Sequence, residues 1–184
     1  MKEEGVEQII CLGDLMNDGI AKVLSISETP VYMVWGNNDG DKVVLTKTSS
    51  RLGSQLTSGI NTYDFLQYGN KKIFVTHYED LALPMAKSGM FDIIFCGHTH
   101  SSKLEVENKC LIVNPGEISA QRTGVASLAI YDTNFNEARI VVLENTVTLK
   151  TSLVDEYFRM NRERLGFRHG FKTSPTTIPH VEKA

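Results

Sequence analysis

Cysteine is scarce in this sequence. Only Cys11, Cys96 and Cys110 occur among 184 residues, and an odd number of thiols inside or beside apolar runs argues against a disulfide framework. A reducing, cytoplasmic setting is the expectation. Long apolar runs are missing as well: none reaches the roughly 18 to 20 residues that cross a bilayer, and Met1-Lys2-Glu3-Glu4 is too acidic for the start of a signal peptide. A soluble, unexported protein with no membrane partner is expected. Nor does one sign of charge dominate. With 19 Lys and Arg against 22 Asp and Glu, the net charge of -3 gives no global attraction to nucleic acid, so any phosphate recognition must be local. Internal repeats and low-complexity tracts are absent too.

What the chain does have is enough apolar residue, 41% of 184, for one domain with a substantial core. Val6 to Leu12 ends in a solid apolar run, as a strand buried on both faces does, and Gly13-Asp14 follows directly. Upstream, Gly5 sits where a helix C-terminal glycine would, so the chain is expected to begin inside a helix. A helix is expected over Gly19 to Ile26, a strand over Val31 to Trp35, and a second helix over Val43 to Leu56. Tyr63 to Tyr68 and Lys72 to Val75, joined by Gly69-Asn70, form a hairpin ending in Thr76-His77. After a short helix over Leu81 to Lys87, the run Phe91 to Cys96 ends in Gly97-His98-Thr99-His100. Beyond it lie short strands, Lys103 to Val106, Cys110 to Val113, Ser127 to Tyr131 and Arg139 to Leu143, expected to be antiparallel.

Four apolar runs thus each terminate in a side chain able to bind a metal: Asp14, Asn37, His77, and the pair His98 and His100. Three of the five histidines of the chain occupy these ends. In open α/β sheets, loops beyond the carboxyl ends of the strands converge on one crevice, so the four termini are expected to build one site. Oxygen and imidazole donors without thiolate suit Mn, Fe, Ni or Zn and favour catalysis over a structural cage. His98 and His100 could splay toward two ions, which makes a two-metal site geometrically reasonable.

Gly13-Asp14, Gly36-Asn37-Asn38-Asp39, Thr76-His77 and Gly97-His98-Thr99-His100, in this order, resemble the motifs of the calcineurin-like metallophosphoesterases, especially their small archaeal and bacterial phosphodiesterase branch. Asn114-Pro115-Gly116-Glu117 resembles that branch's loop, in which serine often stands for the glutamate. The resemblance implies an α/β fold, a four-layer α/β/β/α sandwich over residues 1–150, and two divalent transition metals, manganese first, with nickel, iron or zinc as alternatives. It implies that Asp14 bridges both ions, that Asn37, His77 and His98 complete one, and that His100 belongs to the other. The implied reaction is hydrolysis of a small-molecule phosphoester, most simply a diester, by a hydroxide bridging the metals.

Two departures matter. The family's first motif, Asp-any-His at the end of a first strand, has no counterpart here, so that strand and part of the first helix are expected to be missing and one metal to lack half its ligands. Asn38 stands where many relatives carry a phosphate-contacting histidine, and an amide cannot protonate a leaving group, so better leaving groups are expected. A catalytically impaired scaffold or protein-binding module on the same fold is the rival reading, and a homo-oligomer could cover the gap. Asn38 and Asp39 are carried as catalytic positions beside a plain turn reading of Asn-Asp-Gly. Arg122 is a candidate for binding substrate phosphate, or simply a solvated charge. Asn17 and Asp18 either line the site or shape a turn. Over 151–184, Ser152 to Leu165 patterns as a docking helix, followed by a basic, proline-containing tail that reads as a flexible terminus rather than a nucleic-acid arm.

Overall fold

The computed structural model describes residues 4–143; the expected tail helix and basic terminus lie outside them, as does most of the expected N-terminal helix. Gly5 has a left-handed φ of +62°. Strands β1 (Ile9–Cys11), β2 (Val31–Met33) and β3 (Leu56–Ser58) form a parallel sheet in the order β1-β2-β3. Helix α1 (Asp18–Ser25) links the first two strands, with Asn17 as N-cap accepting from Ile20 N, and Asp18 pairs with Lys22 one turn on. Both residues therefore act as helix-starting groups. Helix α2 (Lys42–Ser49) begins under the Asp41 cap, which accepts from Val43 N and Val44 N.

The second helix stops well short of Leu56, which corrects the sequence expectation. Gly53 lies at φ +80°, and Leu56 to Ser58 instead pair residue for residue with Val31 to Met33. A three-residue strand has too little period to announce itself; its partner strand creates it.

The second sheet has five strands in the order β4-β5-β6-β8-β7, built from β4 (Tyr63–Tyr68), β5 (Lys71–Tyr78), β6 (Ile93–Gly97), β7 (Lys103–Glu107) and β8 (Cys110–Asn114). Its C-terminal hairpin β7-β8 is antiparallel as expected, but β8 runs parallel to β6. A 3-10 turn at Glu79–Leu81 leads into α3 (Ala82–Lys87), with Pro84 within its first turn. The last hairpin, β9 (Ser127–Asp132) and β10 (Glu137–Val142), stands as its own two-stranded sheet.

Burial orders these elements into four layers. Leu15, Ala21, Val31, Met33, Trp35, Leu45 and Leu56 bury the contact of α1 and α2 with the first sheet. On the far side, Phe74, Ala82, Ala86, Ile94, Cys96, Cys110 and Ile112 bury α3 against the second sheet. Between the sheets lie Val34, Ile73, Val75, Ile93, Phe95 and Val113, with Ile10, Leu12, Tyr32, Tyr131 and Ile140 at their margin. Along β6, Ile93 and Phe95 face the inner core while Ile94 and Cys96 face α3. This two-sided burial is why the run reads as continuously apolar. Each fully buried side chain of this size contributes about 1.5 to 3 kcal/mol, and truncating Phe74, 1% exposed, to alanine should cost about 3 to 5 kcal/mol. The α/β/β/α order matches the expected fold class.

Candidate metal centre

The carboxyl ends of β1, β2, β5 and β6 open on one rim, and each delivers a donor there. Asp14 follows β1 through Gly13, and Asn37 follows β2 through Gly36. Two glycines are needed because these loops cross almost backbone to backbone: a Cβ on Gly13 would lie 2.5 Å from Gly36 N, and one on Gly36 would lie 2.2 Å from Asp14 Oδ1. His77 belongs to β5, where the pairing register with β6 shifts between Val75 and Tyr78. Such an irregularity turns a side chain out of its alternating place. His98 follows β6 directly.

The backbone at this rim is unusual. Asp14 (φ 57°), His98 (φ 71°) and His100 (φ 64°) all occupy the left-handed region, which non-glycine residues enter at a cost of about 1 to 3 kcal/mol. Asp and His are among the residues that tolerate it best.

Asp14, Asn37, His77 and His98 are brought to one point. His77 Nε2 lies 2.8 Å from Asn37 Oδ1, 3.1 Å from His98 Nδ1 and 3.6 Å from Asp14 Oδ1. His77 Nδ1 lies 2.7 Å from the Leu12 carbonyl, which can only accept, so Nδ1 carries the hydrogen and Nε2 is the nitrogen turned inward, where a single-proton ring presents its lone pair. That lone pair faces the oxygens of Asn37 and Asp14. Acceptors this close need a cation or a proton between them. Bonds of about 2.1 Å would set neighbouring donors roughly 3.0 Å apart in an octahedron and roughly 3.4 Å apart in a tetrahedron, and the observed spacings bracket both. The donor set therefore fits a divalent transition metal. Among the described residues no three His, Cys, Asp or Glu side chains alone form a ready cage; the Asn37 amide completes the set.

Electrostatics favour ionised donors. Partial burial alone would raise the Asp14 pKa, but the bonds from Asn38 N (2.7 Å) and Asn38 Nδ2 (3.0 Å), with His77 and His98 nearby, outweigh it and hold the carboxyl below its ordinary range. Asn38 is thus placed at Asp14 rather than apart from it, with its side chain exposed at the mouth. Asp39 does something else. It accepts from Leu15 N at 2.6 Å and from Gly36 N, strapping the Asp14 and Asn37 loops together through backbone alone.

His100 is held apart from the four. Its Nδ1 lies 2.8 Å from Glu117 Oε2, in the Asn-Pro-Gly-Glu loop. Arg122 contributes its backbone N–H to Glu117 Oε1 at 2.8 Å while its side chain is exposed. One group, Glu79, escaped the sequence reading, and Asn114, named there only within its loop motif, works with it. Glu79 accepts from Thr99 Oγ1 and from Asn114 Nδ2 (3.1 Å), and Asn114 Nδ2 also reaches Gly97 O (3.2 Å), so the pair fixes the His98–His100 loop from behind. Partial burial alone would raise the Glu79 pKa, but the bonds from Thr99, Asn114 and Lys103 outweigh it and hold the carboxyl below its ordinary range. No periodicity marks Glu79; only its place two residues after His77 could have drawn notice.

Comparison with known proteins agrees with this geometry. Residues 1–136 match the calcineurin-like phosphoesterase superfamily domain. The phosphodiesterase MJ0936 of Methanocaldococcus jannaschii is 31% identical over 144 residues, covering 77% of this chain and 86% of that protein. A solved archaeal phosphodiesterase superposes with a TM-score of 0.70 at 28% identity, again over 77% and 86% of the two chains. The E. coli phosphoesterase YfcE shares the fold at a TM-score of 0.53 and 18% identity, over 78% and 87%. With strand-end donors, four layers and motif order all in agreement, the chain belongs to the calcineurin-like phosphoesterase superfamily.

Proposed function

We propose that this protein is a metal-dependent phosphodiesterase whose centre is held by Asp14, Asn37, His77 and His98, with His100 serving a second ion that Asp14 shares. The observation that carries the reading is the convergence of Asn37 Oδ1, His98 Nδ1 and Asp14 Oδ1 on the inward Nε2 of His77, whose ring is held by the Leu12 carbonyl. The similarity to an archaeal phosphodiesterase supports the substrate class. Manganese is the first candidate ion, and oxygen and imidazole donors admit iron, nickel or zinc. Bound there, divalent ions supply Lewis-acid polarisation of a phosphoryl oxygen and a nucleophile from water at neutral pH.

The chain's own residues orient and restrain. Asn38 offers an amide donor beside Asp14, suited to a non-bridging phosphate oxygen and unable to protonate a leaving group. Diesters with good leaving groups should therefore turn over best. Arg122 is too exposed to assign to the centre and stays a candidate for contact with a longer substrate. Three free thiols support a cytoplasmic setting, and no helix of the described residues is long and apolar enough to cross a membrane.

Hydrolysis of bis(p-nitrophenyl) phosphate with and without Mn2+ tests the reading. Metal-dependent turnover that His98→Ala abolishes is expected. Turnover unchanged in His98→Ala would overturn the centre, and metal binding without turnover of any diester would show a binding module on this fold.

A further inference from the structure

Glu117 is the most densely bonded carboxylate among the described residues. Its side chain is 5% exposed. Oε1 accepts from Arg122 N (2.8 Å), Thr123 N (2.7 Å) and Thr123 Oγ1 (2.9 Å); Oε2 accepts from His100 Nδ1 (2.8 Å) and Ser119 Oγ (3.1 Å). The backbone presents it rigidly. Gly116, at φ +85°, has no room for a Cβ, which would fall 2.2 Å from Ser127 Oγ, and Ser127 Oγ donates to Pro115 O at 2.7 Å. Glu117 also bridges to Ala126.

We infer that Glu117 is a positioning residue that selects the ring tautomer of His100, leaving Nε2 as its metal-binding nitrogen. The inference rests on the metal centre proposed above. A carboxylate can only accept, so His100 Nδ1 carries the hydrogen and Nε2 keeps the lone pair. His77 follows the same rule with the Leu12 carbonyl as acceptor, whereas His98 turns Nδ1 toward the centre. Such outer partners orient a ligating imidazole and raise its basicity.

Glu117→Gln gives a sharp test because the two ends of the carboxylate are not equivalent. Two immovable backbone N–H groups at Oε1 will claim the single amide oxygen. The amide nitrogen must then face His100 Nδ1, which has to become the acceptor, and the hydrogen moves to Nε2. The tautomer inverts and the lone pair moves from Nε2 to Nδ1.

The experiment is long-range 1H–15N correlation of the histidine rings in metal-free protein, at a pH where they are neutral, followed by Zn2+ titration read at each ring nitrogen. In the unsubstituted protein, His100 should be protonated at Nδ1, and its Nε2 resonance should shift on Zn2+ addition. In Glu117→Gln the protonated nitrogen should be Nε2, and about 10 to 100 times more Zn2+ should be needed to move the His100 resonances, with those of His77 unaffected. Nε2–H His100 in the unsubstituted protein overturns the inference, with no variant required. So does a Glu117→Gln protein that keeps the tautomer or the Zn2+ response. A response at His77 without one at His100 overturns it while leaving the main centre intact, whereas silence at both rings overturns the metal reading itself.

Discussion

Asp39→Asn separates two roles that the turn Gly36-Asn37-Asn38-Asp39 could give its last residue. If Asp39 straps the loops, the loss is one of stability and metal affinity; if it acts on substrate, the loss is one of turnover. Each Asp39 oxygen accepts one backbone N–H, Leu15 N at 2.6 Å and Gly36 N. Asparagine keeps one acceptor and turns an N–H donor onto the other amide. The change removes one charge-assisted bond, about 1.5 to 3 kcal/mol, and leaves an N–H unpaired at about 1 to 3 kcal/mol. Asp39 is only half-buried, so water recovers part of this and about 2 to 4 kcal/mol is the expected loss. Urea unfolding in EDTA measures it. The same variant should bind Mn2+ more weakly, because the strap joins the loops bearing Asp14 and Asn37, yet reach the unsubstituted kcat once Mn2+ saturates. Unchanged unfolding together with a collapsed kcat would refute the strap and return Asp39 to the reacting atoms.

Gly36→Ala should be more severe. Its Cβ would stand 2.2 Å from Asp14 Oδ1 and 2.9 Å from His77 Cε1, so calorimetric Mn2+ titration should show the main centre lost, and normal binding would mean that the two loops can part freely. Burial pushes the thiols of Cys11 to about 11, Cys96 to about 12 and Cys110 to about 11, so a disulfide reagent at pH 8 should label the buried Cys96 and Cys110 only after urea is added and the partly buried Cys11 slowly; fast labelling of Cys96 or Cys110 in the folded state would contradict their place in the core. Glu117 has a folded pKa of about 2: burial opposes ionisation, but the bonds from Thr123, His100 and Arg122 outweigh it, against an ordinary value of 4.5. Its contribution, on the order of 3 kcal/mol, is fully present above about pH 5 and fades as pH falls toward 2. The urea midpoint of the metal-free protein should drop over that window more steeply than that of Glu117→Gln, and parallel curves would refute it.

Much of the proposed centre could be read without coordinates because each proposed donor is local to a strand end. His77 lies within its strand, His98 one residue, Asp14 three and Asn37 four residues beyond theirs, and parallel pairing brings such termini to one rim. What the sequence hid is non-local. Strand β3 exists because β2 offers Leu56 to Ser58 an edge. Glu117 meets His100 across 17 residues, and its other bonds come from a loop that folds back on itself. Arg122 drew notice for its guanidinium, while the described contact uses its backbone N–H, a group every non-proline residue carries.

The three left-handed residues bear on how this protein can evolve. At 14, 98 and 100, glycine would relieve the backbone while deleting a proposed metal donor, so selection for fold stability alone and selection for the proposed ion binding would pull these positions in opposite directions. A lineage freed from catalysis would be expected to lose its centre at these three sites first, gaining stability as it did so.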